Sequence, residues 1–236
     1  MTLADRVAAE DGARLRSFGL GGPGRLVTEV AGLTVVFIGV DEPWGVQVEA
    51  MGVPVDADSV GEAVAWCRAR EAEPLVRVRA RDRDLLPAYT VVEELPVLVA
   101  PAGGRQDMLA VARSSDVEEF RGVYATSFGM STVLAERLVV AADLQVHPHL
   151  VGRVDGRAVA CAQLRPGADM AYVNGVGVLP SERGRGFGAA MMTACAVAAG
   201  ELGCELVWLH ASGASLGFYE AIGFELVDTH LALAAS

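Results

Sequence analysis

The sequence predicts an α/β (α+β) fold, and three observations carry that prediction. Apolar residues are 52% of the 236 and charged residues 21%, a balance that builds a sizeable core and does not suit a disordered chain. From about residue 108 onward, short strand-type and helix-type runs follow one another in the order β-α-α-β-β-β-α-β-α-β. Within that order, the run 170–178 ends in a turn rich in glycine and arginine that leads straight into a long helix pattern.

In the first half, Gly19-Leu-Gly-Gly-Pro-Gly24 is glycine-rich, but no helix pattern follows it, so it reads as a surface loop. Residues 44–53 read as a strand, 59–70 as a helix capped by Asp58 or Ser59, and 74–79 as a strand. These runs form a weak internal repeat of the second half. Residues 44–53 parallel 170–178, 59–70 parallel 188–201, Pro74-Leu-Val-Arg-Val-Arg79 parallels Glu205-Leu-Val-Trp-Leu-His210, and 84–89 parallel 215–219. Pro101-Ala-Gly-Gly104 reads as a linker, which divides the chain into domains at 1–105 and 106–236.

The second half opens on a short strand at 108–113. Ser115-Asp116 caps a helix over 117–128, whose first turn carries Glu118 and Glu119 against the dipole. Ser131-Thr132 starts a second helix to about 141, with Leu134, Leu138 and Val139 on one face. Strands at 147–154 and 158–164 flank Asp155-Gly156, a strong hairpin signal. Pro166-Gly167 turns the chain into strand 170–178. Helix 188–201 follows and stops at Gly203. A strand at 205–210, a short helix at 212–221 and a strand at 224–233 complete the order.

Composition excludes several functions. The net charge of −11 gives no general attraction to nucleic acid or to an anionic membrane surface, and it favours a cationic partner such as an amine. Cys67, Cys161, Cys195 and Cys204 lack C-x-x-C spacing and sit in apolar runs, as reduced buried thiols of a cytoplasmic protein do. The N-terminus does not read as a signal peptide, and no apolar stretch is long enough to span a bilayer. All 19 basic residues are arginine, which removes lysine-dependent phosphate loops, kinase-type ATP binding and Schiff-base chemistry. The bias toward Ala, Gly, Val and Arg resembles that of a GC-rich bacterial source.

The segment Val176-Gly-Val-Leu-Pro-Ser-Glu-Arg-Gly-Arg-Gly-Phe-Gly188 aims unpaired N–H groups and a helix N-terminus at one point, a place for a pyrophosphate. A dinucleotide fingerprint starting at Gly184 or Gly186 would need its third glycine at Ala189 or Met191, so that motif fails. What remains, Arg183-x-x-Gly186-x-Gly188, resembles the R/Q-x-x-G-x-G/A motif of the GCN5-related N-acetyltransferase (GNAT) family. Leu206–Ser212 followed by Phe218-Tyr-Glu-Ala-Ile-Gly-Phe224 resembles the family's strand, helix and Y-x-x-x-G-F segment. The element order from about 108 to the C-terminus is also that of the family.

The resemblance implies a GNAT fold, a central mixed and mostly antiparallel sheet flanked by helices, preceded here by a smaller degenerate GNAT-like domain. That first copy has Pro54-Val-Asp-Ala-Asp-Ser59 in place of the glycine loop, and its carboxylates Asp56 and Asp58 would repel a phosphate. The implied activity is acetyl-CoA-dependent N-acetylation of a primary amine by direct attack in a ternary complex. Arg183, Gly184, Arg185, Gly186, Phe187 and Gly188 would hold the pyrophosphate of acetyl-CoA. Val176 and Val178 would pair their backbones with the pantetheine arm where strands 170–178 and 205–210 splay, and Gly175 and Gly177 fit the bulge found there. Tyr219, with a hydroxyl pKa near 10, matches the position of the family's general acid. The general base stays open: Asn174 cannot be one but can orient a water, Asp169 stands at the strand's start, and His149 and His210 are alternatives. His147 and His149 share a strand face without a third ligand nearby, so no metal is expected. The expected partner is a small-molecule or peptide amine, with no nucleic acid and no membrane, and a homodimer is left open. Two alternatives stand: a non-catalytic acyl-CoA sensor or interaction module, and an acyltransferase with a different acyl donor or an oxygen acceptor. Acceptor-shaping residues are expected in 117–141 and 143–150.

Overall fold

The computed structural model describes residues 1–18, 24–104 and 109–235. The glycine run at 19–23, Met108 and the 105/106 boundary lie outside the described residues. In chain order the elements are α1 (Leu3–Phe18), β1 (Leu26–Val30), β2 (Leu33–Phe37), β3 (Val46–Glu49), α2 (Ala57–Arg68), β4 (Leu75–Arg79) and β5 (Tyr89–Pro101). There follow β6 (Ala110–Arg113), α3 (Val117–Phe128), α4 (Thr132–Leu138), α5 (Ala141–Val146), β7 (His149–Val154), β8 (Arg157–Pro166) and β9 (Met170–Val178). The chain closes with α6 (Phe187–Glu201), β10 (Leu206–His210), α7 (Leu216–Ala221) and β11 (Glu225–Ala235). The fold is mixed α/β, mostly antiparallel in its strands and flanked by helices. No described helix is long and apolar enough to cross a membrane.

The chain forms two compact units that do not follow a linear division. One holds Met1–Leu98 with His210–Ala221 and Glu225–Ser236, and the other holds Val99–Leu209 with Ile222–Phe224. The strand expected at 224–233 is thus part of the first unit as β11, antiparallel to β4.

In the first unit the strand order is β1-β2-β3-β4-β11, with β3 and β4 parallel around α2. Alternation along the strands separates two chemistries. Val76 and Val78 of β4, paired with Leu233 and Leu231 of β11, join Val60, Val64 and Cys67 of α2 in an apolar core. The intervening Arg77, Arg79 and His230 are buried too, and they meet acids of α1. No helix was foreseen at 3–18, because the buried Asp11 and Gly12 interrupt its apolar stripe. The cap of α2 is Asp56, which accepts from the N–H of Asp58 and Ser59, so the helix starts two residues earlier than expected. Residues 84–89, expected to parallel a helix, hold only the end of a 3-10 turn at Ala80–Leu85.

In the second unit the order is β6-β7-β8-β9-β10, antiparallel except for β9 and β10, which are parallel around α6. Asp116 caps α3 and Ser131 caps α4, as expected. Asp155 and Gly156 turn the β7–β8 hairpin with φ of 50° and 78°, the signs a tight two-residue hairpin requires. The helix expected to reach 141 stops at Leu138. Val139 is extended, its carbonyl accepts from Arg121 Nε at 2.8 Å, and a separate α5 follows. The segment 101–104 is not a loose linker, since Ala102 N–H donates to Glu205 O at 2.8 Å and Gly103 N–H to Ala196 O at 2.6 Å.

Candidate active site

The site is built around an interrupted strand. β10 pairs with β9 only from Leu206↔Met170 to Trp208↔Tyr172. Beyond Tyr172, β9 keeps β8 on one side and has no β10 residue in register on the other. Burial changes at the same place: 170–173 are buried, and Asn174, Gly175 and Val176 are half-buried. The β8–β9 register slips between Cys161 and Gln163, and Gly175 takes up the slip with φ of 60°. The bulge expected at Gly175 and Gly177 is therefore present. Neither position has room for a side chain: a Cβ on Gly175 would stand 2.6 Å from the Tyr124 ring, and one on Gly177 would stand 2.7 Å from Ser127 Cβ. Val176 and Val178 lie on the stretch of β9 that has β8 on one side and no β10 partner on the other.

The strand feeds a 3-10 turn at Pro180–Glu182, then the glycine loop. Gly184 and Gly186 have φ of 76° and 82°, left-handed values that glycine adopts without strain. Gly186 is the N-cap of α6 and offers no side-chain acceptor, so Phe187 and Gly188 begin the helix with N–H groups that no cap residue takes. The arginines of the motif brace the loop. Arg183 donates to Val178 O at 3.2 Å and to Ser127 O at 2.7 Å, tying the loop to the ends of β9 and α3. Arg185 and Arg157 both ion-pair with Glu182, a buried carboxylate whose pKa is lowered mainly by its hydrogen bond from Arg157. The Arg185 guanidinium also lies over the Phe187 ring, 4.9 Å from its centre.

Beneath the bulge on the α3 side, His149, Gln163 and Asn174 form one chain of hydrogen bonds from three neighbouring strands. His149 is fully buried edge-on to Phe120, and burial, its first cause, lowers its pKa. His149 therefore does not stand open as a base. Ser127 Oγ, buried beside Gly177, has no hydrogen-bond partner among the described residues. Sequence reasoning did not find Ser127, Tyr124 or Gln163, whose places depend on strand register and helix packing.

Tyr219 lies on α7, in the first unit, as does His210. His210 Nε2 is 3.3 Å from Asp11 Oδ2, and His230 Nδ1 is 3.1 Å from the same oxygen. Burial lowers the His210 pKa to about 4, against the pull of Asp11. Burial alone would raise Asp11, but Arg14 and the two histidines hold it well below the usual carboxylate range. Asp11, His210 and His230 bring their ligand atoms within 4.8 Å of one another, as a metal would need. However, Arg14 Nε donates to Asp11 Oδ1 at 2.7 Å and an Arg77 nitrogen lies 3.8 Å from Oδ2, so a cation would meet two guanidinium charges. The trio reads as a buried ion network.

The sequence profile of the Acetyltransferase (GNAT) family matches residues 117–224. Residues 117–224 form a GNAT acetyltransferase domain. The family match supports acyl transfer in general terms. No curated protein matches the sequence. Among solved structures, a GCN5-related N-acetyltransferase from Kribbella flavida is 22% identical with a TM-score of 0.71, over 100% of this chain and 96% of that one. A tandem GNAT protein from the clavulanic acid biosynthesis pathway is 13% identical with a TM-score of 0.60, over 100% of this chain and 88% of that one. A GCN5-related N-acetyltransferase from Sphaerobacter thermophilus is 15% identical with a TM-score of 0.58, over 98% of this chain and 88% of that one. At these identities the likeness is one of fold, and in each case it extends well beyond the GNAT domain into the first half of the chain.

Proposed function

We propose that this protein is an acetyl-CoA-dependent N-acetyltransferase that acts on a primary amine. The observation that carries the reading is the unpaired edge of β9 running into the left-handed glycines and the uncapped start of α6. An extended amide-bearing arm fits such an edge as an added strand, and a pyrophosphate fits the N–H groups at its end. Acetyl-CoA has both parts in that order, and when bound it supplies an activated acyl thioester. Val176 and Val178 would hold the arm through their backbones, and Gly184, Gly186, Phe187 and Gly188 would hold the phosphates. Arg183 and Arg185 shape the loop and add positive charge around it.

Direct transfer to the amine, without a covalent acyl-enzyme, is supported by the state of the cysteines. Cys161 lies under the bulge, yet burial pushes its thiol up to about 12, and burial does the same to Cys195. Neither is a ready nucleophile near neutral pH. Tyr219 is the general acid assigned by family likeness, donating its phenolic proton to the departing thiolate.

Residues 1–105 are proposed as a degenerate copy that carries no cofactor. The parallel β3-α2-β4 unit repeats the plan of β9-α6-β10. At the start of α2, however, the Asp56 carboxylate already takes the N–H groups of Asp58 and Ser59. Those are the donors that a phosphate would need, and a fixed negative charge stands in front of them.

The test is calorimetric binding of acetyl-CoA, followed by thiol release with a panel of primary amines. The parent should bind and turn over at least one amine. Gly186→Val should lose binding, because Val resists a φ of 82° and its side chain fills the phosphate's approach. Undiminished binding by that variant would remove the loop from the reading.

A further inference from the structure

We propose that the side-chain oxygen of Asn174 accepts a hydrogen bond from the incoming amine, and that a hydrogen-bonded chain ending at the His147 carbonyl fixes it in that orientation. The inference rests on the amine-acetyltransferase reading above.

The argument starts at the buried end. A carbonyl oxygen can only accept, so His149 Nδ1, 3.0 Å from His147 O, must carry the ring proton. His149 is held neutral by its apolar burial against Phe120 and by the Arg165 and Arg113 charges near it. Its Nε2 is then a bare lone pair. Gln163 Nε2 lies 3.0 Å away and donates to it. This turns Gln163 Oε1 outward, where it accepts from Asn174 Nδ2 at 3.1 Å. Each amide is oriented by the one before it, and reversing the chain would set a bare Nδ1 against a carbonyl oxygen. The last member, Asn174, is left with Oδ1 as its acceptor and makes no further side-chain hydrogen bond among the described residues.

The position of Asn174 gives that oxygen its use. It stands two residues past the last β9–β10 pair, beside the Gly175 bulge, and it is the first half-buried residue of the strand. The thioester of an arm laid along Val176 and Val178 would arrive next to it. An amide oxygen is too weak a base to keep a proton, but it can accept from one amine N–H and so aim the nitrogen lone pair at the carbonyl carbon. The N–C bond forms as the C–S bond breaks, and the electron pair leaves with sulfur, which takes a proton from the general acid. The surplus proton on nitrogen passes to water. Asn174 is the residue that touches the acceptor, and Gln163 and His149 position it.

The test compares parent and variants with acetyl-CoA and a panel of small primary amines, following free thiol. Asn174→Leu keeps the volume and removes the acceptor. Its kcat should fall roughly ten- to a hundredfold, the worth of one hydrogen bond to a group gaining charge, with the Kd for acetyl-CoA nearly unchanged. Asn174→Asp keeps an acceptor but sets a carboxylate oxygen against Gln163 Oε1, so it should recover only part of the rate. His149→Phe keeps an aromatic ring against Phe120 but ends the chain, so kcat should fall while acetyl-CoA binding holds. Adding Asn174→Leu to it should then cost much less than in the parent, because the two residues act through one another. Nitrogen chemical shifts of the His149 ring should report the Nδ1–H tautomer. A parent that binds no acetyl-CoA, or turns over no amine, sinks the acetyltransferase reading and this inference with it. A normal parent with an undiminished Asn174→Leu kcat, additive losses in the double variant, or an Nε2–H tautomer overturns this inference alone.

Discussion

Gly175 shows how little latitude single residues have at this site. It combines φ of 60° with a ring edge 2.6 Å from where a Cβ would be. Gly175→Ala should cost about 1–3 kcal/mol in chemical denaturation, from left-handed strain and overpacking together. It should also weaken acetyl-CoA binding, since easing the bulge shifts the unpaired edge of β9. A variant as stable and as tight as the parent would show that the bulge is incidental. For Tyr219, the expectation is that Tyr219→Phe lowers kcat on the order of ten- to a thousandfold while the Kd for acetyl-CoA stays nearly constant. Equal rates when chemistry limits turnover would take Tyr219 out of the mechanism. The glycine pattern of the loop was legible in the sequence because backbone conformation is a local matter. The work of Arg183 was not, because its partner Ser127 is 56 residues away and only packing brings them together. The same holds for His149, Gln163 and Asn174, whose side chains meet through the register of three strands.

At the scale of elements, the polar face between α1 and the β3-β4-β11 strands is the part that sequence periodicity misread. Buried Asp11 in α1, Glu49 in β3 and Arg77 in β4 look like solvent-facing positions in a linear pattern. β5 escaped notice because Glu93, Glu94 and Pro96 interrupt its run of valines and leucines. Capped helices such as α3, and the tight β7–β8 hairpin, were legible because a cap and an Asp-Gly turn act within a few residues. The ion network leads to a pH prediction. Burial first, and the Asp11 charge second, push the Glu49 pKa from 4.5 up to about 8. Across that window the unfolded chain has released this proton and the folded chain has not, so stability falls as pH rises. His210 is neutral in the fold and has its pKa lowered from 6.5 to about 4, so its contribution falls as pH drops through that range. The two slopes oppose each other below pH 6.5, and between pH 6.5 and 8 the Glu49 slope stands alone. Urea denaturation should lose up to about 1.4 kcal/mol per pH unit there. In Glu49→Gln, which keeps an oxygen for the Met51 N–H, the loss should vanish. A parent profile flat from pH 6.5 to 8 would mean that Glu49 is already ionised in the fold.

For the whole molecule, the two halves seen in the sequence and the two units of the structure divide the chain differently. The strand, helix and strand of the β3-α2-β4 unit were legible because β-α-β units leave a local signature. That β11 serves the first unit was not, since nothing in its apolar alternation names its neighbour. A fragment of residues 1–105 lacks β11 and leaves β4 without its antiparallel partner. It should be poorly folded by circular dichroism and should not bind acetyl-CoA. A peptide of residues 210–236 supplied in trans should raise its order. A cooperative, independently stable 1–105 fragment would contradict the account of β11.

The placement of β11 also sets a timetable. β4 leaves the ribosome early, but its partner strand is made after every strand of the second unit. At about 5–20 residues per second the interval is roughly seven to thirty seconds. Throughout it an open strand edge, apolar on one face, waits in a crowded cell. The half of the protein that is translated first is therefore the half that finishes folding last, and chaperone dependence of expression should map to β4 rather than to the acetyltransferase domain.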